Sequence, residues 1–467
     1  MKIFNLFFIV TLFAFFGCSL DTPSETATVL STGDANFTSY AALGNSLTAG
    51  YQSGALTERH QQYSYVNFIA QQAGVTTFQQ PLIGYPGIGT NTEDGGGIIE
   101  LTALDGGSGS PLLTPAALAD YPSFNPLMPW ASDAVRDYPA PYNNLGVPGA
   151  VLWDVMNATS SANSGAGTTN NTMFDVILRN PNLDPIGGQS FTAFQQAKLL
   201  QATFITCWIG NNDVLGYATS GGTSPAAPTD QTTFGFLYGV MLDSLVATGA
   251  DVVLANIPDV TAIPFFTTVP YKVDPGTGTE VALVISTADG PRQATADDFI
   301  LLTGSSLIGD VSGTYGPAGV PVGFDGSAPM PNSVVLDEDE IAVAKAAVSG
   351  FNSTIASLAS AKNVPVVDVN SIFNDIHAHG REIAGLTFTT SFITGGLFSL
   401  DGVHPSDLGS AIIANEFLTT INENFDASIP LVNVIDVMED ISLKKSSSQI
   451  TYNKETFDNV VKLFGGK

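Results

Sequence analysis

The chain has 467 residues, of which 44% are apolar and 10% aromatic, enough for a sizeable core and too many for a disordered polymer. Only 12% are charged, and 43 acidic against 15 basic residues leave a net charge of −28. A field of that sign repels phosphate backbones and anionic headgroups, which excludes nucleic acid as a partner.

Lys2 precedes an apolar run from Ile3 to Phe16 that is short for a bilayer span, and Gly17-Cys18 closes it ahead of polar Ser19 and Asp21. The order resembles a bacterial lipoprotein signal, with Phe15 and Phe16 standing where Leu and a small residue are usual. The resemblance implies removal of residues 1–17, lipidation of Cys18, and an extracytoplasmic protein tethered to a membrane by its lipid. Cys207 is then left without a partner for an intrachain disulfide, so the core alone must hold the fold. Residues 18–38 read as the tether. No other stretch reads as long and apolar enough to span a bilayer.

From Ser39 the pattern becomes α/β. Tyr40-Ala41-Ala42-Leu43 reads as a buried strand ending at Gly44. Tyr63, Val66, Ile69, Ala70 and Ala73 recur at helical spacing before a Gly74 stop. Residues 84–143 are rich in Gly and Pro, and 158–172 read as a polar loop. Ser190 is expected to cap a helix through Leu200, leading to a strand over Thr203–Ile209. Phe234, Tyr238, Met241, Leu242 and Leu245 mark the next helix, with Val252–Ala255 as its strand. Residues 267–333 read as a β-rich insertion. The acidic run Asp337–Glu340 suits the first turn of a long helix, ahead of a strand at Val364–Val369. A final helix runs from Ser406 to Ile421, and 426–467 form a C-terminal extension. This alternation predicts a parallel sheet covered by helices, with residues 39–425 as one decorated domain.

Four segments carry chemistry. Gly44-Asn45-Ser46-Leu47 directly follows the first strand, where a tight strand-to-helix turn can expose a serine Oγ above the sheet edge; alone it reads first as a turn with a capping serine. Asn144-Leu145-Gly146-Val147-Pro148-Gly149 alone is a Gly-Pro turn. Gly210-Asn211-Asn212-Asp213 places amides at a strand's carboxyl end, where open α/β sheets bind ligands. Asp401-Gly402-Val403-His404 sets a carboxylate three residues before a histidine, a spacing that can fix the ring's tautomer.

In this order the four segments resemble the SGNH (GDSL-type) hydrolases. The resemblance implies a three-layer α/β/α fold and carboxylic ester hydrolysis through an acyl-enzyme. Ser46 is then the nucleophile, His404 the base and Asp401 its orienting acid. The oxyanion hole would comprise the N–H groups of Ser46 and Gly149 with the Asn212 side chain; Gly146 is the alternative glycine. No metal or organic cofactor is implied. Asn45 stands where the family pattern has Asp. Two other readings remain open: a binding or structural lipoprotein on a decayed hydrolase fold, and an acyltransferase on the same fold. Segments 84–143 and 267–333 are expected to wall the substrate site. The group Asp375, His377 and His379 reads as a solvated loop before it reads as a metal site. His60 has no evident partner in the sequence.

Overall fold

Strand residues alternate between two cores, as a sheet covered on both faces requires. Ala41 and Leu43 of β1 (Tyr40–Gly44) enter one core, and Tyr40 and Ala42 the other. The same alternation runs through β3 (Phe204–Trp208) and β4 (Asp251–Ala255). With β2 (Asn144–Gly146) and β5 (Val366–Val367) these form a five-stranded parallel sheet in the order β5-β4-β3-β1-β2. The computed structural model describes residues 30–85, 87–89, 96–104, 111–117, 141–180, 187–223 and 227–445. The expected signal sequence with Cys18, and residues 446–467, lie outside these.

Helices cover both faces, giving the expected three-layer α/β/α fold. On one face lie α1 (Tyr65–Gln72), α6 (Val369–His379), α7 (Asp407–Asn424) and α8 (Val434–Lys445). On the other lie α2 (Leu152–Asn157), α3 (Asn212–Thr219), α4 (Gln231–Val246) and α5 (Glu338–Ala361). The acidic run opens α5 as anticipated: Asp337 caps it, and Glu340 reaches back to the Asp337 N–H at 2.9 Å. At 24 residues α5 is long enough to cross a bilayer, but it buries Ile341, Val348, Phe351 and Ile355 in the core instead.

Several elements differ from the sequence reading. The helix before β3 spans Ala193–Leu199 and is capped by Thr192, whose hydroxyl takes the Gln195 N–H, not by Ser190. Only Val366 and Val367 of the expected strand Val364–Val369 pair, because Asp368 caps α6 and turns the chain. Residues 375–379 are therefore helical, not a loop. Residues 161–167 form 3₁₀ turns within the expected polar loop.

The last residues of the expected tether are docked. Phe37 stacks on Phe204 at 4.0 Å, the Asn36 N–H donates to Asp251, and Ser31 bridges to Ser428. The C-terminal extension is likewise packed as far as α8, through buried Ile429, Val432, Val434 and Val437. Segment 267–333 forms short antiparallel pairs around a small core of its own that includes Leu283, Ile300 and Met330.

The order β2-β1-β3 reverses direction at β1, so a crevice opens beyond the carboxyl ends of β1 and β3, the topological switch point. Gly44, Gly146 and Trp208 lie in register there. Gly146 has no room for a side chain: a Cβ would sit 2.5 Å from the Ala49 backbone nitrogen and 2.7 Å from Thr48 Cβ. Gly146→Ala is expected to destabilise the fold by about 1–3 kcal/mol, read as a lower urea midpoint at constant m-value.

Candidate active site

Ser46 is the first residue of a four-residue helical turn, Ser46–Ala49, that follows β1 directly. Asn45 caps this turn, its Oδ1 accepting the Leu47 N–H at 3.1 Å. Its amide also donates to Asn211 Oδ1 at 3.1 Å. Asn211 is the N-cap of α3, so the turns after β1 and β3 are tied together. An Asp at position 45 could cap in the same way but could not donate to Asn211. Asn45 is thus accommodated by a partner of its own.

Asp401 and His404 meet through Nδ1 of the ring, 2.9 Å from Oδ2 of the carboxylate. Asp401 also accepts the backbone N–H groups of Val403, His404 and Gly54, each at 2.9 Å, and the Ser399 hydroxyl at 3.0 Å. Burial pushes this carboxyl up, but the interaction with His404 and these donors outweigh burial and hold it well below the usual carboxylate range. An ionised carboxylate can only accept, so Nδ1 carries the proton and Nε2 of the neutral ring is free to act as a base. The Tyr51 ring packs on His404 at 4.8 Å between centroids.

The segment after the serine turn clamps this loop, which sequence reasoning missed. The Ser53 N–H donates to Ser399 Oγ at 2.9 Å, and the Leu400 N–H to Ser53 Oγ at 3.2 Å. His60 is not unpartnered: its Nδ1 lies 2.8 Å from Asp407 Oδ1, which also accepts the Gln52 amide at 2.6 Å. Asp407 stands three residues beyond His404, the one local signal of this link.

Asn212 begins α3 and donates its amide to the Ala150 carbonyl at 2.8 Å. Gly149, immediately before, is exposed, has φ +79°, and its N–H donates to no group among the described residues. Gly146 is instead buried in β2 and packed against Thr48 and Ala49, which accounts for glycine there without a role in the site. Behind this loop lie two buried acids. Asp213 accepts the Leu152 N–H at 2.8 Å and the Thr229 hydroxyl at 2.9 Å; Asp154 accepts the Val151 N–H at 2.9 Å. Burial pushes Asp213 up to about 7 and Asp154 up to about 6, against the pull of these donors.

Ser46, His404, Asn211 and Asn212 all open onto one cleft, otherwise walled almost wholly by apolar side chains. None of its lining residues comes from 267–333, contrary to the expectation for that insertion. The insertion supports the Asp401–His404 loop from behind: Leu302 packs against Gly402, and the Phe265 N–H just upstream of it donates to the Gly402 carbonyl at 2.9 Å. Segment 84–143 does not line the cleft with any described residue either; its hairpin, Gly96–Leu104 with Pro111–Ala117, reaches the clamp through the Ile99 N–H to Ser53 O bond at 2.7 Å.

His377 and His379 do not converge. His377 pairs with Thr390 and His379 with Asp375, and among the described residues no cluster could hold a metal ion. Cys207 is a free thiol sealed in the core, where burial pushes it up to about 12.

The buried acids give a measurable signature. Both bind protons more readily folded than unfolded, so their contribution is full below about pH 4 and is lost as pH rises through 6 to 7. Tm should therefore contain a component that falls between about pH 4 and 7, and Asp213→Asn should flatten it. A variant whose melting follows the wild-type pH profile would remove Asp213 as its source.

The profile of the GDSL-like Lipase/Acylhydrolase family matches residues 40–417, which span all five strands of the sheet and all four motif segments. No curated protein matches the chain. The chain belongs to the GDSL-like lipase/acylhydrolase (SGNH) family, whose members are hydrolases, esterases and acyltransferases.

Proposed function

We propose that the protein is a serine hydrolase of carboxylic esters, with Ser46 as nucleophile, His404 as general base and acid, and Asp401 as the residue that orients and charges the ring. The observation that carries this reading is the Asp401–His404 hydrogen bond at 2.9 Å, in a loop whose histidine shares one apolar cleft with Ser46. His404 Nε2 takes the Ser46 proton as Oγ attacks the ester carbonyl, forming the Oγ–C bond. Negative charge gathers on the carbonyl oxygen, which the N–H groups of Ser46 and Gly149 and the Asn212 amide receive. The C–O bond to the alcohol then breaks, with His404 returning its proton to the leaving oxygen. Water, deprotonated by the same ring, releases the acid and restores Ser46.

The bonds around Asn212 support its part in this reading. One amide hydrogen is committed to Ala150 O, which leaves the second to aim at the oxyanion and fixes the amide beside Gly149. A lipid-tethered, extracytoplasmic placement belongs to the same proposal and rests on residues 1–18 alone.

A fluorophosphonate probe is expected to label the wild type and not Ser46→Ala. Ser46→Ala and His404→Ala should each lower kcat on nitrophenyl esters by about 10⁴-fold or more. Asn212→Ala should cost about 10²–10³-fold, mostly in kcat. A folded wild type that takes no probe and turns over no ester would favour a binding lipoprotein instead.

A further inference from the structure

The cleft extends beyond the reacting groups as a trough between α6 and α7. α6 contributes Val369, Ile372, Phe373 and Ile376, and α7 contributes Gly409, Ile412, Ile413 and Glu416. Each set has the spacing i, i+3, i+4, i+7, which places it along one side of its helix. Two such stripes facing one another make a narrow channel that begins five residues past His404. Six of the seven apolar wall positions are β-branched or aromatic side chains with stiff χ1 preferences or flat faces, so the channel keeps its shape. Every polar group of the cleft other than Glu416 lies on the segments of Asn45, Asn211 and His404, at the reacting end.

An ion pair stands at the far end. Arg381, two residues past the end of α6, pairs with Glu416 of α7. The distance from Gly409 to Glu416 along α7 is seven residues, about 10 Å. With C–C bonds of about 1.5 Å at near-tetrahedral angles, an extended chain advances roughly 1.3 Å per carbon, so on the order of eight carbons fit.

We propose that the α6–α7 trough is the acyl subsite, that it takes a straight, unsubstituted acyl chain of medium length, and that the Arg381–Glu416 pair sets the upper limit. This rests on Ser46 and His404 being the reacting pair. A chain bearing hydroxyls would strand them against hydrocarbon without partners. A chain longer than the trough must part the ion pair and leave both charges beside hydrocarbon, which binding energy from a few more methylenes does not offset. A bulky or branched acyl group meets fixed walls. The substrate class is thereby narrowed from esters at large to medium-chain acyl esters, and short acetyl groups are left with most of the trough unfilled.

The test is kcat/KM for nitrophenyl acetate, butyrate, octanoate, dodecanoate and palmitate. The wild type should rise by at least roughly tenfold from butyrate to octanoate and fall again towards palmitate. Ile413→Trp, which fills the trough midway, should lower the octanoate-to-butyrate ratio by on the order of tenfold. The double variant Arg381→Met/Glu416→Met leaves no unpaired charge and should raise the dodecanoate-to-octanoate ratio. A flat or steadily rising chain-length profile in a wild type whose Ser46 takes the fluorophosphonate probe would overturn the acyl subsite alone. So would an Ile413→Trp protein that is folded, is labelled by the probe and keeps the wild-type ratios. If Ser46 is not labelled and no ester is turned over, this proposal falls together with the reading beneath it.

Discussion

The Asp401 carboxylate is where distant parts of the chain are made to agree. It takes hydrogen bonds from His404 Nδ1, from the backbone of Val403 and His404, from Ser399, and from Gly54. The first four shape the histidine loop. The fifth comes from the segment that follows Ser46, some 350 residues earlier in the chain. One buried anion thus fixes the histidine's protonated nitrogen and its distance from the serine turn. A carboxylate in this setting must stay ionised to accept five donors, and those donors, with His404 beside it, hold it so despite burial.

A second layer repeats the logic on a smaller scale. Asp407 joins His60 and Gln52 below the histidine, while Asp213 and Asp154 hold the Gly149–Leu152 turn beside Asn212. Asp407 takes its donors from residues some 350 positions earlier, Asp213 takes Leu152 and Thr229, and Asp154 takes Val151 and Gly165. The site is therefore built at the junction of turns that buried carboxylates and the Asn45–Asn211 pair tie together. Its geometry depends on the sheet only for the level at which Gly44, Gly146 and Trp208 end.

The four motif segments were legible in the sequence because each is local: a turn whose residue types the turn itself demands, three of them directly after a strand of the sheet. The parallel sheet was legible for the same reason, through the alternation of β-branched runs and helical stripes. What could not be read was pairing across the chain. Nothing near His60 announces Asp407, and nothing near Ser53 announces Ser399. The helix α6 was hidden for another reason. Its first residue, Val369, continues the β-branched run Val364–Val367, so a strand pattern ran over the helix start and masked the stripe Val369, Ile372, Phe373, Ile376. Without α6 the trough has no signature in the sequence.

The docking of residues 31–38 has a directional consequence. Asn36 bonds to Asp251 and Thr203, the residues that open β4 and precede β3, so the amino-terminal segment enters at the amino edge of the sheet. Ser46 and the cleft stand at the opposite, carboxyl edge. Anything that grips the chain upstream of Leu30 therefore pulls on the back of the molecule. The cleft lies at the edge of the sheet opposite the one where residues 31–38 dock.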